Sequence, residues 1–174
     1  MDFIGNTPAK LFFKKLGIDC EGLISGSRAA TRFKTQIWVY QSPLVEAATV
    51  SEQLLDLYNG FERLVVWPHT LVWGDRSNDP TATPDWKEYS QWRHKSGEAA
   101  DLTDRPAHVF EKDEVELAYQ ALQYGFYLGW DALIGSNTSS PLIELSHNDK
   151  LTIHARQNFS TLADRFEKLG LSAV

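Results

Sequence analysis

FKTQIWVYQSPLVEAATVSEQLLDLYNGFERLVVW, residues 33–67, is the stretch on which the fold turns. Its first nine residues alternate, with Phe33, Thr35, Ile37 and Val39 on one side and Lys34, Gln36, Trp38 and Tyr40 on the other, which is the period-two pattern of a strand. Thr49-Val50-Ser51-Glu52 then has the spacing of a capping box, in which a hydroxyl and a carboxylate satisfy each other's free backbone amides. Leu54, Leu55, Leu57 and Tyr58 supply the apolar stripe of the helix that follows, and Gly60 ends it. The apolar run 63–67 closes the unit as a short buried strand. Strand, helix and strand at this spacing predict a right-handed crossover between two parallel strands.

On the N-terminal side, Thr7-Pro8 starts a helix that runs to about Leu16 and stops at Gly17, and 20–32 reads as a loop. On the C-terminal side, residues 74–107 carry three prolines and many turn formers and read as an irregular insertion. Thr83-Pro84 interrupts it with a helix on which Trp86, Tyr89, Trp92 and Arg93 fall at helical spacing. The segment after Asp113 forms the strongest helix: Val115, Ala118, Tyr119, Leu122 and Phe126 mark one stripe, Leu117, Ala121, Tyr124 and Leu128 another, so it is buried on most sides. Glu111, Asp113, Glu114 and Glu116 cluster at its start, where the helix dipole favours anions.

Gly129 stops that helix, and Trp130 to Ile134 is the next strand. A hairpin and a closing helix capped by Asn158 complete the chain. A two-residue turn in the hairpin would mix polar and apolar residues on both faces. A three-residue loop, Asn148 to Lys150, pairs Leu145 with Ile153 and Glu144 with His154 and keeps one apolar and one polar face. The expected fold is α+β, a single domain over 1–174 with a mixed sheet of about five strands. The first two strands are parallel, the last three an antiparallel meander, and four or five helices cover the sheet.

A chain of 174 residues is long enough to bury a core without staples. Seventeen Lys and Arg against 23 Asp and Glu give a net charge of −6, a field that repels phosphate backbones and favours a basic protein partner. The lone Cys20 and an N-terminus without a basic, then apolar, leader pattern make the cytoplasm the expected compartment. No window approaches the ~20 apolar residues of a membrane span. Six Trp, six Tyr and nine Phe are more large rings than a core of this size needs, which leaves some of them part-exposed in a groove or an interface. Homo-oligomerisation stays open.

Phosphate loops, dinucleotide fingerprints, zinc motifs and nucleophile elbows are absent, so polar groups are judged singly. His147 and His154, with Glu144 and Asp149, have the residue types of a metal or acid/base site. The hairpin register turns the two histidines apart, leaving a turn built from Ser146 to Asp149 and an exposed Glu144–His154 pair; neither a metal nor a cofactor is expected. His69 follows a strand end, with Trp67, Trp73, Asp75 and Arg76 nearby, and the glycines of 22–28 could cradle an anion. For recognition, the stronger candidates are Gln36, Trp38 and Tyr40 on the second face of the first strand and the helix bearing Trp86, Tyr89 and Trp92.

Pro106, His108, Phe110, Leu117 and Leu122, then Gly129-Trp130-Asp131-Ala132 and Ser146-His147-Asn148-Asp149, resemble a loosely defined group of uncharacterised bacterial proteins. The resemblance spans about 106–156 and implies a bacterial-type intracellular domain, with no chemistry attached. Asn148 departs from the acid expected after the histidine. Three functions follow from these features. The first is a non-catalytic domain that binds a basic protein, such as an immunity protein or antitoxin. The second is a hydrolase or metal-assisted enzyme using His69 or the His147/His154 hairpin, and the third a small-ligand binder with 74–107 as its lid.

Overall fold

In the computed structural model, which describes residues 1–20, 28–29, 34–40, 47–71, 83–138, 141–148, 150–155, 160–168 and 171–174, the alternating segment forms a strand that ends within a residue of its expected bounds. In chain order the elements are β1 (Asp2–Ile4), α1 (Asn6–Leu16), β2 (Ile18–Asp19), β3 (Arg28–Ala29), β4 (Lys34–Tyr40), α2 (Ala47–Asp56), β5 (Arg63–Leu71), α3 (Pro84–Lys95) and β6 (Ala107–Glu111). They continue with α4 (Val115–Tyr127), β7 (Trp130–Ser136), β8 (Leu142–Ser146), β9 (Lys150–Ala155), α5 (Ser160–Lys168) and β10 (Leu171–Ala173). Among the described residues, no helix is long and apolar enough to cross a membrane.

The class is α+β, but the sheet has eight strands where about five were expected, in the order β1-β6-β5-β7-β8-β9-β4-β10, with β2 and β3 forming a separate pair. Every ladder between the described strands is antiparallel, which overturns the parallel pair expected for 33–67. Because each neighbour reverses direction, β4 and β5 do run the same way, yet β9, β8 and β7 lie between them. The physical reason is non-local: β4 finds its partners in β9 and β10, more than a hundred residues later, and β5 finds its own in β6 and β7. Thr49 and Ser51 lie inside α2, so the expected capping box does not start it.

Two layers of apolar contact hold the sheet. On one face, Val50, Leu54 and Tyr58 of α2, Trp86 and Tyr89 of α3, Ala118, Ala121 and Leu122 of α4 and Phe166 of α5 pack against Trp38, Leu64, Val66, Phe110, Ile134, Ile143, Leu151 and Ile153. The Val, Leu, Ile and Phe side chains among them, once buried, each stabilise the fold by about 1.5–3 kcal/mol. On the other face, Ala9 and Phe13 of α1 cover Val65, Trp67, Ala107, Leu133 and Leu142. Helix α1 stops at Gly17, whose left-handed φ of 103° lets its amide reach back to the carbonyls of Phe13 and Lys14. Gly135 lets α1 come close, since a Cβ there would lie 2.8 Å from Leu142 Cδ2 and 2.9 Å from Phe13 Cε1.

Three local features decide where polar groups point. Strand β5 continues through Pro68 to Leu71, with a register shift between Pro68 and Thr70 that leaves His69 as the extra residue. Proline is tolerated because pairing with β6 ends at Val66, so no ladder amide is needed on that side. The β8–β9 loop does have three residues, but they are 147–149: Ser146 pairs with Lys150, Leu145 with Leu151 and Ile143 with Ile153. That is two residues from the expected register, which preserves the faces. Within 74–107 the described residues begin at Thr83, α3 starts at the expected Pro84, 96–106 carries neither helix nor strand, and β6 is under way at Ala107.

Candidate functional site

The aromatic face of β4 turns inward. Trp38 is 1% exposed and packs on Phe166 with ring centroids 5.2 Å apart, while Ile37, assigned by alternation to the apolar side, is 39% exposed. Trp38 is therefore core and unavailable to a partner. Gln36, on the same side, stands half-buried opposite Ile153, and Tyr40 is placed by its backbone opposite Leu171. Trp86 is buried against Tyr89. Trp73, Asp75, Arg76, Asp149 and Asn158, and most of the glycine-bearing stretch 22–28, lie outside the described residues.

Under α3 lies a node that the sequence did not mark as polar. His108, fully buried on β6, is enclosed by Trp130 at 5.7 Å, Phe3 at 5.2 Å and Trp92 at 5.8 Å between ring centroids. Its Nε2 is 2.9 Å from the Tyr89 hydroxyl and its Nδ1 3.4 Å from the Val66 carbonyl. Arg93 donates to the same Tyr89 oxygen and to the carbonyls of Ala100 and Arg105. A carbonyl can only accept, so Nδ1 carries the proton, Nε2 accepts from Tyr89, and donation runs from Arg93 through Tyr89 to His108. Burial, with the Arg93 cation adding to it and the Val66 bond opposing, lowers the imidazole to about 3. His108 is neutral at any ordinary pH and acts as a strut between α3 and the sheet.

The opposite face carries the histidines singled out by sequence. Thr35 and His154 are direct partners across β4 and β9, with Thr35 Oγ1 2.9 Å from His154 Nδ1, and Glu144 Oε1 is 3.1 Å from His154 Nε2. Leu142 is the residue directly opposite His154, so Glu144 reaches it diagonally. The pair is not exposed as expected: His154 is 4% exposed. An ionised carboxylate can only accept, so Nε2 donates to Glu144, and in the neutral ring Nδ1 accepts the Thr35 hydroxyl. His147 sits apart at the end of the sheet, its backbone amide and Nδ1 each 2.9 Å from Asp131 Oδ1. The two histidines thus use different carboxylates. His69 rests against Trp67 at 5.8 Å; burial lowers its pKa, while Asp131 and Glu144 pull it back up. Among the described residues, no group of three His, Cys, Asp or Glu is placed to hold a metal.

The third arrangement lies between α3 and α4, a groove of about 300 Å³ lined by Glu88, Gln91, Trp92, Lys95, Gln120, Gln123 and Tyr124. The buried side of α3 is Trp86, Tyr89 and Arg93, so Glu88, Gln91, Trp92 and Lys95 fall on the neighbouring flank at i, i+3, i+4 and i+7. Trp92 and Tyr124 are half-buried with ring centroids 5.5 Å apart. Trp92 Nε1 donates to Gln120 Oε1 at 2.7 Å, and the Tyr124 hydroxyl donates to Glu88 Oε1 at 3.4 Å. Helix α3 is the one whose Trp86, Tyr89 and Trp92 stood out in the sequence; of these, Trp92 lines the groove, and Glu88 and Tyr124 beside it were not singled out. Comparison with known protein families, with curated proteins and with solved structures finds no match to this chain.

Proposed function

We propose that this chain is a non-catalytic binding protein that masks a basic partner in the cytoplasm, in the manner of an immunity protein or antitoxin. The observation that supports it is the α3–α4 groove, where two half-exposed rings and a surface carboxylate stand together on a chain of net charge −6. Aromatic rings offer large contact area with few rotors to freeze, and an acidic surface steers a basic protein toward it. Among the described tryptophans, Trp38, Trp67, Trp86 and Trp130 are core, and Trp92, in this groove, is only half-buried. The test is co-purification of the tagged chain from its host at low salt. A stoichiometric basic protein, released as salt rises and inhibited when the chain is added back, is the expected result. A chain that emerges without any such partner overturns the reading.

A second reading rests on the Glu144–His154–Thr35 arrangement, in which a surface hydroxyl donates to an imidazole backed by a carboxylate, the geometry of an activated nucleophile. Saturable turnover of activated esters that disappears in His154→Ala would favour it over the binding reading.

A further inference from the structure

We propose that the α3–α4 groove is an arginine slot, in which one guanidinium of the basic partner lies over Trp92 and Tyr124 and forks onto Glu88. This inference rests on the basic-partner reading and adds to it the side chain that is recognised. The rings are held from behind before anything binds: Trp92 stacks on Tyr89 at 5.9 Å and 26°, its indole N–H is fixed by Gln120, and Tyr124 is anchored to Glu88. Such preorganisation reduces the entropy lost when a ligand docks. Glu88 is exposed, and only its Oε1 is engaged by Tyr124, so the carboxylate can accept from a second donor. Asp85 lies one turn earlier on the same helix and adds to the local negative field. Burial first, then Glu88 and Asp85, raise Tyr124 to about 12, which keeps its hydroxyl protonated and donating to Glu88.

The chemistry selects arginine over lysine. A guanidinium is planar and weakly hydrated, stacks on aromatic faces and presents N–H groups in a fork that matches a carboxylate. The Gln91 and Gln123 amides on the groove walls offer carbonyl acceptors to the N–H groups that the carboxylate leaves over. An ammonium can use the charge of Glu88 but neither the stacking plane nor the fork. Lys95, exposed at the far end of the groove, opposes any cation that enters and so sets a limit on affinity.

The test is a fluorescence titration of the full chain at low salt with three blocked tripeptides, Gly-Arg-Gly, Gly-Lys-Gly and Gly-citrulline-Gly, the last having the shape of arginine without its charge. Saturable binding of the arginine peptide about tenfold tighter than citrulline and about threefold tighter than lysine is expected. Glu88→Gln, an exposed and nearly isosteric change, should weaken it about tenfold, and Lys95→Ala should strengthen it about threefold. Equal affinity for arginine and citrulline, or indifference to Glu88→Gln, overturns the slot. Deca-arginine and deca-lysine titrated in parallel separate the two levels of the argument. If both bind equally and neither responds to Glu88→Gln, the basic-partner reading stands and the slot falls; if neither binds, both fall.

Discussion

His108 and His154 occupy the same kind of position on opposite faces of one sheet, each with almost no exposure, and the chain treats them differently. His108 is surrounded by rings, meets one hydroxyl and one carbonyl, and is driven to the neutral form. His154 lies between a carboxylate and a hydroxyl that itself reaches the surface. Burial alone therefore says little about what a histidine does. The groups that meet its two nitrogens, and whether water can replace them, decide whether it is a strut or a group open to exchange.

Four substitutions or conditions bear on that contrast. The largest effect is expected for His108→Ala, which opens a void among Trp130, Phe3 and Trp92 and leaves the Tyr89 hydroxyl without its acceptor. A loss of about 3–5 kcal/mol in chemical denaturation is expected, and a loss no larger than that of His154→Ala would erase the distinction. Acid sharpens it next. The folded pKa of His108 is about 3 and the unfolded value about 6.5, so the contribution of neutral His108 is complete above 6.5. Below that, the unfolded chain takes up a proton that the folded chain refuses, and stability falls toward pH 3 by up to about 1.4 kcal/mol per unit. That slope should be absent from His108→Gln when both are unfolded across pH 4–7.

His154→Ala comes third. It strips the half-buried Glu144 of its donor but leaves Thr35 able to turn to water, so a loss of about 1–3 kcal/mol is expected in the same denaturation assay. Thr35→Val is the smallest, under about 1 kcal/mol, because the hydroxyl is exposed and a branched side chain suits a strand. If Thr35→Val instead cost as much as His154→Ala, the polar face would be a tightly coupled network and the contrast with His108 would shrink.

Much of this was legible along the chain. The ends of α1, α3 and α4, the alternation of β4 and the polar and apolar faces of the β8–β9 hairpin follow from Gly17, Pro84, Gly129 and period-two spacing. Partner choice was not legible: nothing in 33–67 says that β4 joins the C-terminal hairpin. Nor does alternation tell which face is covered when both carry bulky residues, and so Trp38 was placed outside and Ile37 inside. Strand β6 escaped notice because both its faces are buried, so Ala107 to Phe110 show no alternation, and because it begins where a proline-rich stretch ends. Of the sites, the Glu144–His154 contact was expected from a register two residues off, and it survives because that slip keeps both residues on one face, where Glu144 reaches His154 diagonally. The Tyr89–His108 bond and the Tyr124–Glu88 contact join residues 19 and 36 positions apart, through helix packing that no local pattern encodes.

The outermost strands of the sheet are also its shortest kind: β1 at one edge and β10 at the other have three residues each. An open edge is a template for another chain's strand, and its danger grows with its length. Here β10 covers Trp38 to Tyr40, and the Val174 amide adds a bond to the Ile37 carbonyl. Those few residues work as a guard strip over a seven-residue strand that would otherwise recruit copies of itself. Removing 171–174 should raise aggregation during refolding above that of the intact chain, with light scattering as the readout.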